Sequence, residues 1–247
     1  MIYVTIPVHD EERTIGVVLW KVRRVMEEFG RDFRILVLDD ASTDATPEVL
    51  ARYAPFLPMK VIRSDRRLGP SQALDRLFRE AVEDTHYPKR DVVVTLQADF
   101  SDDPSDLVGL VKAVEGGADI VTGLPPAPTQ STLKERVVSW LRRRILGPIL
   151  TQAPVTDPLY GLRAYRVVVL RKALREAGGE PLAVQPGEAG NLELLGKLAG
   201  HARRIEEVEV TPRPHLKVRP SRARSIHELR SLVRVRKGVE WSRELAS

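Results

Sequence analysis

The sequence of 247 residues, 43% hydrophobic and 30% charged, suits one soluble α/β domain, or one such domain with a substrate-binding extension. It contains no cysteine, which excludes disulfides and thiolate metal sites and agrees with a reducing compartment such as the cytoplasm. The net charge of +5 combines an acidic first half with a basic second half that lacks nucleic-acid-binding signatures, so we expect a phosphorylated substrate or an anionic membrane surface as partner, rather than nucleic acid.

Strand and helix patterns alternate through the first half of the chain. Apolar runs rich in Val and Ile predict strands at 2–6, 33–38, 59–63, 91–96 and 118–123. Helical periodicity predicts helices between them, at about 12–29, 46–54, 71–83 and 105–115. This alternation predicts a mainly parallel sheet with helices on both faces, an α/β fold whose ligand lies at the carboxyl ends of the strands.

A proline-rich stretch at 124–128 ends this alternation. Beyond it the patterns are less regular. The glycines and prolines of residues 178–190 predict a loop there. The predicted helices lie at about 131–147, 166–177 and 191–199 and from about 225, and the predicted strands lie at 160–165 and 204–210. Neither an internal repeat nor a low-complexity tract is present, which excludes a repeat architecture.

The first two predicted strands end in polar residues. Residues 7–12 follow the first strand and include His9, which has no second histidine at a spacing suited to a metal site. Asp39 and Asp40 follow the second predicted strand, which agrees with the poor strand propensity of adjacent acids. Because such exits are where α/β sheets bind ligands, a carboxylate here can accept a hydrogen bond from a base N–H or a ribose hydroxyl.

The fourth predicted strand also ends in an acidic turn, at residues 97–103, and Pro104 then begins a helix. Carboxylates in this position can hold a divalent cation against a pyrophosphate, and the cation neutralises the charge of a departing diphosphate. For Asp99 we favour this functional interpretation. Asp102 and Asp103 are instead expected to cap the following helix.

Six motifs, taken together and in order, resemble the family 2 glycosyltransferases, among them dolichol-phosphate mannosyltransferase and the bacterial polyprenyl-phosphate glycosyltransferases. They fall on Pro7–Glu11, Leu38–Thr46, Arg67–Ala73, Gln97–Pro104, Asp157–Arg166 and Val218–Arg222. The resemblance implies a GT-A fold, which is Rossmann-like. It implies a nucleotide-sugar-binding half at residues 1–124, and an acceptor- and phosphate-binding half of the same domain, with a basic tail, at 125–247.

The resemblance also implies roles for individual residues. The donor nucleotide would contact Pro7, His9, Glu11, Asp39, Asp40, Ser42, Arg67, Gly69, Gln97 and Ala98. A Mg²⁺ or Mn²⁺ ion would be held by Asp99, Gln97 and Ser101, and phosphates would be bound by Arg163, Arg166, Ser221 and Arg222. Catalytic roles are expected for Asp157, Arg163 and Asp103.

The expected reaction is a single in-line displacement, with inversion at the anomeric carbon of a GDP- or UDP-sugar. A polyprenyl or dolichyl phosphate acceptor is already ionised near neutral pH and needs no strong base. A soluble or saccharide hydroxyl acceptor would need a carboxylate to take its proton, Asp157 first and Asp103 second. Both acceptor classes stay open at this point.

Gln97 stands where the family has the first acid of its metal motif. A glutamine carbonyl can bind a hard cation but brings no charge, so a lower metal affinity is expected. The substitution also leaves open a nucleotide-sugar-binding relative with weakened catalysis.

The helix predicted at 131–147 is basic and amphipathic and contains Trp140, a pattern typical both of an interfacial helix and of a helix packed on the core. The last predicted helix offers a similar basic surface, to a membrane or to a partner in a homodimer. No run of about 18 apolar residues and no signal peptide are visible. We therefore expect a cytoplasmic protein that can lie peripherally at the inner face of the membrane.

Overall fold

The computed structural model describes residues 1–126, 144, 147, 152–213 and 231–235, and the first half follows the predicted alternation. Its strands are β1 (Ile2–Val8), β2 (Phe33–Asp39), β3 (Met59–Arg63), β4 (Val92–Thr95) and β5 (Ile120–Leu124). Its helices are α1 (Ile15–Phe29), α2 (Thr46–Tyr53), α3 (Pro70–Asp84) and α4 (Leu107–Glu115), with short 3₁₀ turns at Ala54–Phe56 and Pro104–Asp106.

The second half contributes β6 (Arg163–Arg166), α5 (Val167–Ala177), α6 (Gly187–Ala199) and β7 (Ile205–Glu209). Helix α6 begins within the loop predicted at 178–190, so that boundary was wrong by four residues. Residues 231–235 of the predicted last helix are helical. Ser221, Arg222 and nearly all of the predicted basic helix at 131–147 lie outside the described residues.

The strands form one seven-stranded sheet in the order β3-β2-β1-β4-β6-β5-β7. Strands β1 to β4 pair in parallel, as do β5 and β7. Within the described part of the chain only β6 runs antiparallel, between β4 and β5. The prediction of a mainly parallel α/β sheet is confirmed, and the carboxyl ends of β1, β2 and β4 meet at one edge.

The sheet is buried on both faces because each helix presents an apolar stripe to it. In α1 the buried residues are Ile15, Val18, Leu19, Val22 and Met26, which recur at helical spacing. Helices α1, α2 and α4 cover one face of the sheet, and α3, α5 and α6 cover the other. Strand residues such as Val93 and Val94 are fully buried on opposite faces, which explains the continuous apolar run in β4.

Backbone strain is concentrated at the carboxyl ends of the strands. Among the described residues, the non-glycine residues with positive φ are Asp10 at 52°, Ala41 at 55° and Phe100 at 63°. They lie in the loops that follow β1, β2 and β4 respectively. Each costs about 1 kcal/mol or more, and such residues persist where the surrounding structure holds the loop in one shape. The three loops are therefore built for a defined geometry.

Helices long and apolar enough to cross a bilayer are absent from the portion of the chain that the structure describes.

Candidate active site

The loops after β1 and β2 are joined by reciprocal hydrogen bonds. The Asp10 amide donates to Ser42 Oγ at 2.9 Å, and the Thr43 amide donates to Asp10 Oδ1 at 2.7 Å. The Glu11 amide donates to Thr46 Oγ1 at 2.8 Å. These contacts hold the two loops together as one unit. Ser42 positions the β1 loop, and the nucleotide contact expected for it stays a prediction.

Asp40 ties the end of β2 to the start of α3. Its carboxylate accepts from the amides of Leu68 at 2.6 Å and Gly69 at 2.9 Å, and only 4% of the residue is exposed. Gly69 has a φ of 88°, which glycine adopts without strain. Asp40 and Gly69 therefore hold this loop in place, and their contact with the donor stays a prediction. Arg67 is exposed beside them, without an ion pair to any described residue.

Asp39 carries an unfilled hydrogen-bond acceptor. The side chain is buried, and its Oδ1 accepts from the Ser42 amide at 3.0 Å. Its Oδ2 has no hydrogen-bond donor among the described residues and lies 3.6 Å from Arg63 Nε. A buried acceptor left in this way requires an explanation, and a bound donor is one.

A cleft of about 210 Å³ opens at the carboxyl ends of β1 and β4. It is lined by Pro7, His9, Glu11, Pro70, Leu74, Thr95, Leu96, Gln97, Ala98, Asp99, Gly161, Gly187 and Asn191. The structure thus brings together the predicted residues of the first and fourth strand exits. The predicted residues of the loops after β2 and β3 adjoin the cleft without lining it. A larger cavity of about 550 Å³ between α1 and α2 contains apolar side chains such as Trp20 and Phe56 and none of the strand-exit acids at 39, 40 or 99.

His9 lines this cleft next to the loops after β1 and β2. Its Nδ1 is 2.7 Å from the Asp40 carbonyl oxygen, so Nδ1 carries the proton and donates it. Its Nε2 lies 3.4 Å from Asp10 Oδ2. The ring is held by both neighbouring loops and presents a fixed edge to the cleft.

Asp99 is one of the two acidic residues that line the cleft, the other being Glu11. It is 8% exposed, and its Oδ1 accepts from the amide and the hydroxyl of Ser101 at 3.0 and 2.5 Å. In the described ranges, no three His, Cys, Asp or Glu side chains are grouped as a metal site. One carboxylate and the Gln97 amide fit a Mg²⁺ or Mn²⁺ ion that shares phosphate oxygens with a substrate, and do not fit a site made by protein alone.

Asp102 does not cap the following helix, contrary to the prediction. It is buried, its Oδ2 accepts from the backbone N–H of Gln97 at 3.2 Å, and its Oδ1 accepts from the Tyr160 hydroxyl at 3.0 Å. Burial raises the pKa of this carboxyl to about 6. Burial and the Asp102 carboxylate also raise the pKa of the Tyr160 phenol. Asp102 therefore connects the loop after β4 to the segment before β6.

Asp103 does act as a cap, because it accepts from the Ser105 amide at 3.0 Å. It also forms ion pairs with Lys21, at 2.5 Å, and with Arg213. Burial acts to raise its pKa, but the hydrogen bonds from Lys21 and Ser105 outweigh it and hold the pKa below its ordinary value. A carboxylate with two cationic partners is a poor proton acceptor, so the expected role of Asp103 as a general base is corrected.

Residues 157–161 and Asn191, which are joined by a hydrogen bond, form a wall that precedes β6, and of these Gly161 and Asn191 line the cleft. The Leu159 carbonyl accepts from Asn191 Nδ2 at 2.9 Å, and the Gly161 carbonyl accepts from Thr95 Oγ1 at 2.7 Å. Asp157, the first candidate base, accepts from the Leu159 amide at 3.0 Å and is partly exposed. The wall is anchored to β4 and to α6, and Asp157 sits at its start, outside the residues that line the cleft.

Arg163 is buried beneath this wall and not exposed in the cleft. It is 1% exposed, and its guanidinium donates to Thr122 Oγ1 at 3.1 Å and to the carbonyls of Asn191 and Pro158, both at 2.6 Å. Direct contact with a phosphate needs an accessible guanidinium. The catalytic and phosphate-binding roles expected for Arg163 are therefore corrected to a positioning role.

Arg166 lies at the other end of the sheet, because antiparallel β6 carries it to the start of β4. Its Nε donates to Asp119 Oδ1 at 3.1 Å, and its other nitrogens donate to the carbonyls of Lys89, Val114 and Ala118. The structure does not bring Arg166 to the cleft, and the phosphate contact expected for it is corrected.

Several lining residues were missed from the sequence, chiefly Thr95, Gly187 and Asn191. Gly187, with a φ of 56°, begins α6 at the cleft. Asn191 is the single asparagine of the chain, which was the one signal available. The start of the basic tail lies beside the loop after β4, where the backbone N–H of Arg213 donates to the Ser101 carbonyl at 2.7 Å.

Comparisons with known proteins agree with this geometry. The family model described as "Glycosyl transferase family 2" matches residues 3–174. Undecaprenyl-phosphate 4-deoxy-4-formamido-L-arabinose transferase of Edwardsiella ictaluri is 29% identical over 179 residues, 69% of this chain and 50% of that protein. Dolichol-phosphate mannosyltransferase of Pyrococcus furiosus is 31% identical over 120 residues, 49% of this chain and 32% of that protein. The chain thus spans half or less of the length of these curated relatives.

Among solved structures, the chain is similar to glucosyl-3-phosphoglycerate synthase from Mycobacterium tuberculosis, in complex with Mn²⁺, UDP-glucose and phosphoglyceric acid. The TM-score is 0.64 at 22% identity, and the match covers 98% of this chain and 81% of that one. At this identity the likeness supports the GT-A fold.

Proposed function

The chain belongs to glycosyl transferase family 2, and from this premise we propose that it is an inverting glycosyltransferase using a GDP- or UDP-sugar donor. The acceptor that we propose is a polyprenyl phosphate. One observation carries the proposal: the cleft joins the exits of β1 and β4 around Asp99, at the sheet edge where α/β folds bind ligands.

The nucleoside is proposed to lie against the loops after β1 and β2. Asp39 Oδ2 is a buried acceptor without a donor among the described residues, which suits a base N–H or a ribose hydroxyl. Pro7, His9 and Glu11 would form the wall beside it, and exposed Arg67 would stand at the rim. Asp40 and Ser42 would act through the loops that they hold.

The diphosphate is proposed to lie over Asp99 together with Mg²⁺ or Mn²⁺. Two acids and no lysine or arginine of the described residues line the cleft, so a diphosphate needs a counter-charge. Asp99 and the Gln97 amide would hold the ion, with Ser101 orienting the carboxylate. When bound, the ion supplies neutralisation of the departing diphosphate. The amino ends of α3 and α6, at Pro70 and Gly187, add favourable dipoles.

A lipid phosphate is the acceptor that the site residues favour. Of the two candidate bases, Asp103 is ion-paired and Asp157 lies outside the residues that line the cleft. An ionised phosphate needs no base. The names of the curated relatives cited above also specify undecaprenyl phosphate and dolichol phosphate. Transfer to a hydroxyl, with Asp157 as base, is the alternative.

The remaining assignments follow from the same proposal. Residues 1–124 would bind the donor and 125–247 the acceptor and its phosphate, with Ser221 and Arg222 closing over the phosphates from the tail that starts at Arg213. A peripheral position at the inner face of the membrane would give access to a lipid acceptor. A homodimer is compatible with these assignments but not required by them.

A transfer assay tests the proposal. The protein is incubated with Mn²⁺ and labelled GDP-mannose or UDP-glucose, and with either a polyprenyl phosphate or phosphoglyceric acid. We expect labelled lipid and release of nucleoside diphosphate, with inverted anomeric configuration by NMR. Label on phosphoglyceric acid alone would move the acceptor to the soluble class. No transfer to either acceptor from either donor would contradict the proposal for these donors.

A further inference from the structure

Asn191 lines the cleft with an amide whose orientation is fixed. Its Nδ2 donates to the Leu159 carbonyl at 2.9 Å, and its backbone carbonyl accepts from Arg163 at 2.6 Å. Because a carbonyl can only accept, the nitrogen must face Leu159. The oxygen Oδ1 has no hydrogen-bond donor among the described residues, and Asn191 is partly exposed in the cleft. It remains an acceptor available to the cleft.

The surrounding wall holds this oxygen in place. Arg163 fixes both the Pro158 carbonyl and the Asn191 backbone, and Thr95 fixes the Gly161 carbonyl. A Cβ at Gly161 would lie 2.8 Å from Asn191 Nδ2, so glycine is needed for this close packing. A preorganised acceptor of this kind selects a ligand group by position as well as by chemistry.

The order of the strands indicates which part of the donor reaches Asn191. A nucleotide sugar presents its base and ribose, its diphosphate and its sugar in sequence. The sheet presents β2, β1, β4 and β6 in sequence. With the nucleoside at the exits of β2 and β1 and the diphosphate at Asp99 after β4, the sugar extends toward the wall that precedes β6. Asn191 stands in that wall.

We propose that Asn191 Oδ1 accepts a hydrogen bond from a hydroxyl group of the donor sugar and so helps to select the sugar that is transferred. The inference rests on the proposed function, because it assumes a nucleotide-sugar donor. Asn191 is a specificity residue in this account, while Arg163, Thr95 and Gly161 position it.

The test compares the affinities for a nucleoside diphosphate and for its sugar. Calorimetry with Mn²⁺ measures UDP and UDP-glucose, and GDP and GDP-mannose, on wild type and on Asn191→Leu. Loss of one neutral hydrogen bond should weaken nucleotide-sugar binding about three- to tenfold. Binding of the nucleoside diphosphate should stay within about twofold of wild type. Asn191→Ala serves as a second variant should the leucine impair folding.

Gln185→Leu is the matched control, since it makes the same amide-to-leucine change just before α6 and outside the lining residues. It should leave both affinities unchanged. Equal weakening of diphosphate and sugar-diphosphate in the Asn191 variants would overturn the inference, because it would indicate a structural role only. Unchanged affinity for both, with a raised KM for the acceptor, would overturn it too. No binding of any of these nucleotides to wild type would instead contradict the proposed donors, and the inference with them.

Discussion

The clefts at the two ends of the sheet differ in how their charges are compensated. The amino-end cleft, of about 410 Å³, is lined by two acids, Asp32 and Glu115, and by four basic side chains, those of Arg31, Lys89, Arg90 and Arg166. The carboxyl-end cleft, of about 210 Å³, is lined by the acids Glu11 and Asp99 and by no described lysine or arginine. On the sign of charge alone, an anionic ligand would be expected in the amino-end cleft.

The hydrogen bonds reverse that expectation. At the amino ends, Arg31 pairs with Glu115 at 3.0 Å and Arg166 pairs with Asp119 at 3.1 Å, so two of the four basic groups already have acidic partners in the fold. At the carboxyl ends, Asp39 Oδ2 has no hydrogen-bond donor among the described residues, and the strained loops lie there. Polar groups and strain left over after folding therefore identify the binding end better than the sign of the charge does.

The largest expected effect comes from removing the Arg166–Asp119 ion pair at the amino ends of the strands. Arg166→Leu leaves Asp119 without its 3.1 Å partner and removes the guanidinium donor from three carbonyls, so the free energy of unfolding should fall by about 3 kcal/mol. Chemical denaturation measures the loss, with exposed Arg90→Leu as a control expected to cost less than about 1 kcal/mol. Affinity for nucleotides should stay the same. Lost affinity at full stability would restore Arg166 as a phosphate ligand.

A pH profile sharpens the comparison at the carboxyl end. The pKa of Asp102 is raised by burial from 3.8 to about 6, so the folded state binds the proton more tightly than the unfolded state. Asp102 therefore contributes stability that is fully present below about pH 3.8 and is lost as pH rises through about 6.

Asp102→Asn removes this titration. The difference in unfolding free energy between wild type and the variant should change by about 3 kcal/mol between about pH 3.5 and 7, at about 1.4 kcal/mol for each pKa unit. Denaturation at matched pH values measures it, and the subtraction cancels the other titrating groups. A constant difference would mean that Asp102 ionises without a burial penalty.

The smallest effect concerns strain. Ala41 has a φ of 55°, where a glycine is relieved of the Cβ clash, so Ala41→Gly should leave the unfolding free energy unchanged or raise it by less than about 1 kcal/mol. Ala51, exposed and inside α2, has no such strain, and Ala51→Gly should lower it by about 0.5–1 kcal/mol. Thermal denaturation ranks the two variants. The opposite ranking would remove the argument for stored strain after β2.

The fold could be predicted from the sequence because its elements are locally encoded. Apolar runs and helical stripes recur in order, and each strand of the first half was predicted within two residues at its ends. The start of α6 was missed because Gly187 and Gly190 resemble a loop in composition. Gly190 is needed in the helix, since a Cβ there would lie 1.9 Å from Ser71 Oγ. Such a close approach between helices is not visible in a local pattern.

The site could be predicted only in part. The exits of β1 and β4 converge because parallel strands end at the same edge, so Pro7, His9, Glu11 and Asp99 were found by rule. Arg166 was wrong because the motif does not reveal that β6 runs antiparallel, and strand direction decides which end a residue reaches. The roles of Asp40 and Ser42 depend on distant loop contacts, as does the place of Asn191 in the cleft.

Calorimetry of UDP and GDP, with and without Mn²⁺, tests most directly whether the diphosphate binds at the carboxyl end through a metal. The comparison is wild type, Asp99→Asn, which keeps an acceptor for Ser101, and Asp32→Asn, an exposed acid at the amino end as matched control. We expect wild type and Asp32→Asn to bind one nucleotide at least tenfold more tightly with Mn²⁺, and Asp99→Asn to lose that gain. Nucleotide binding that is independent of Mn²⁺ in wild type, or a Mn²⁺ gain retained by Asp99→Asn, would contradict the account.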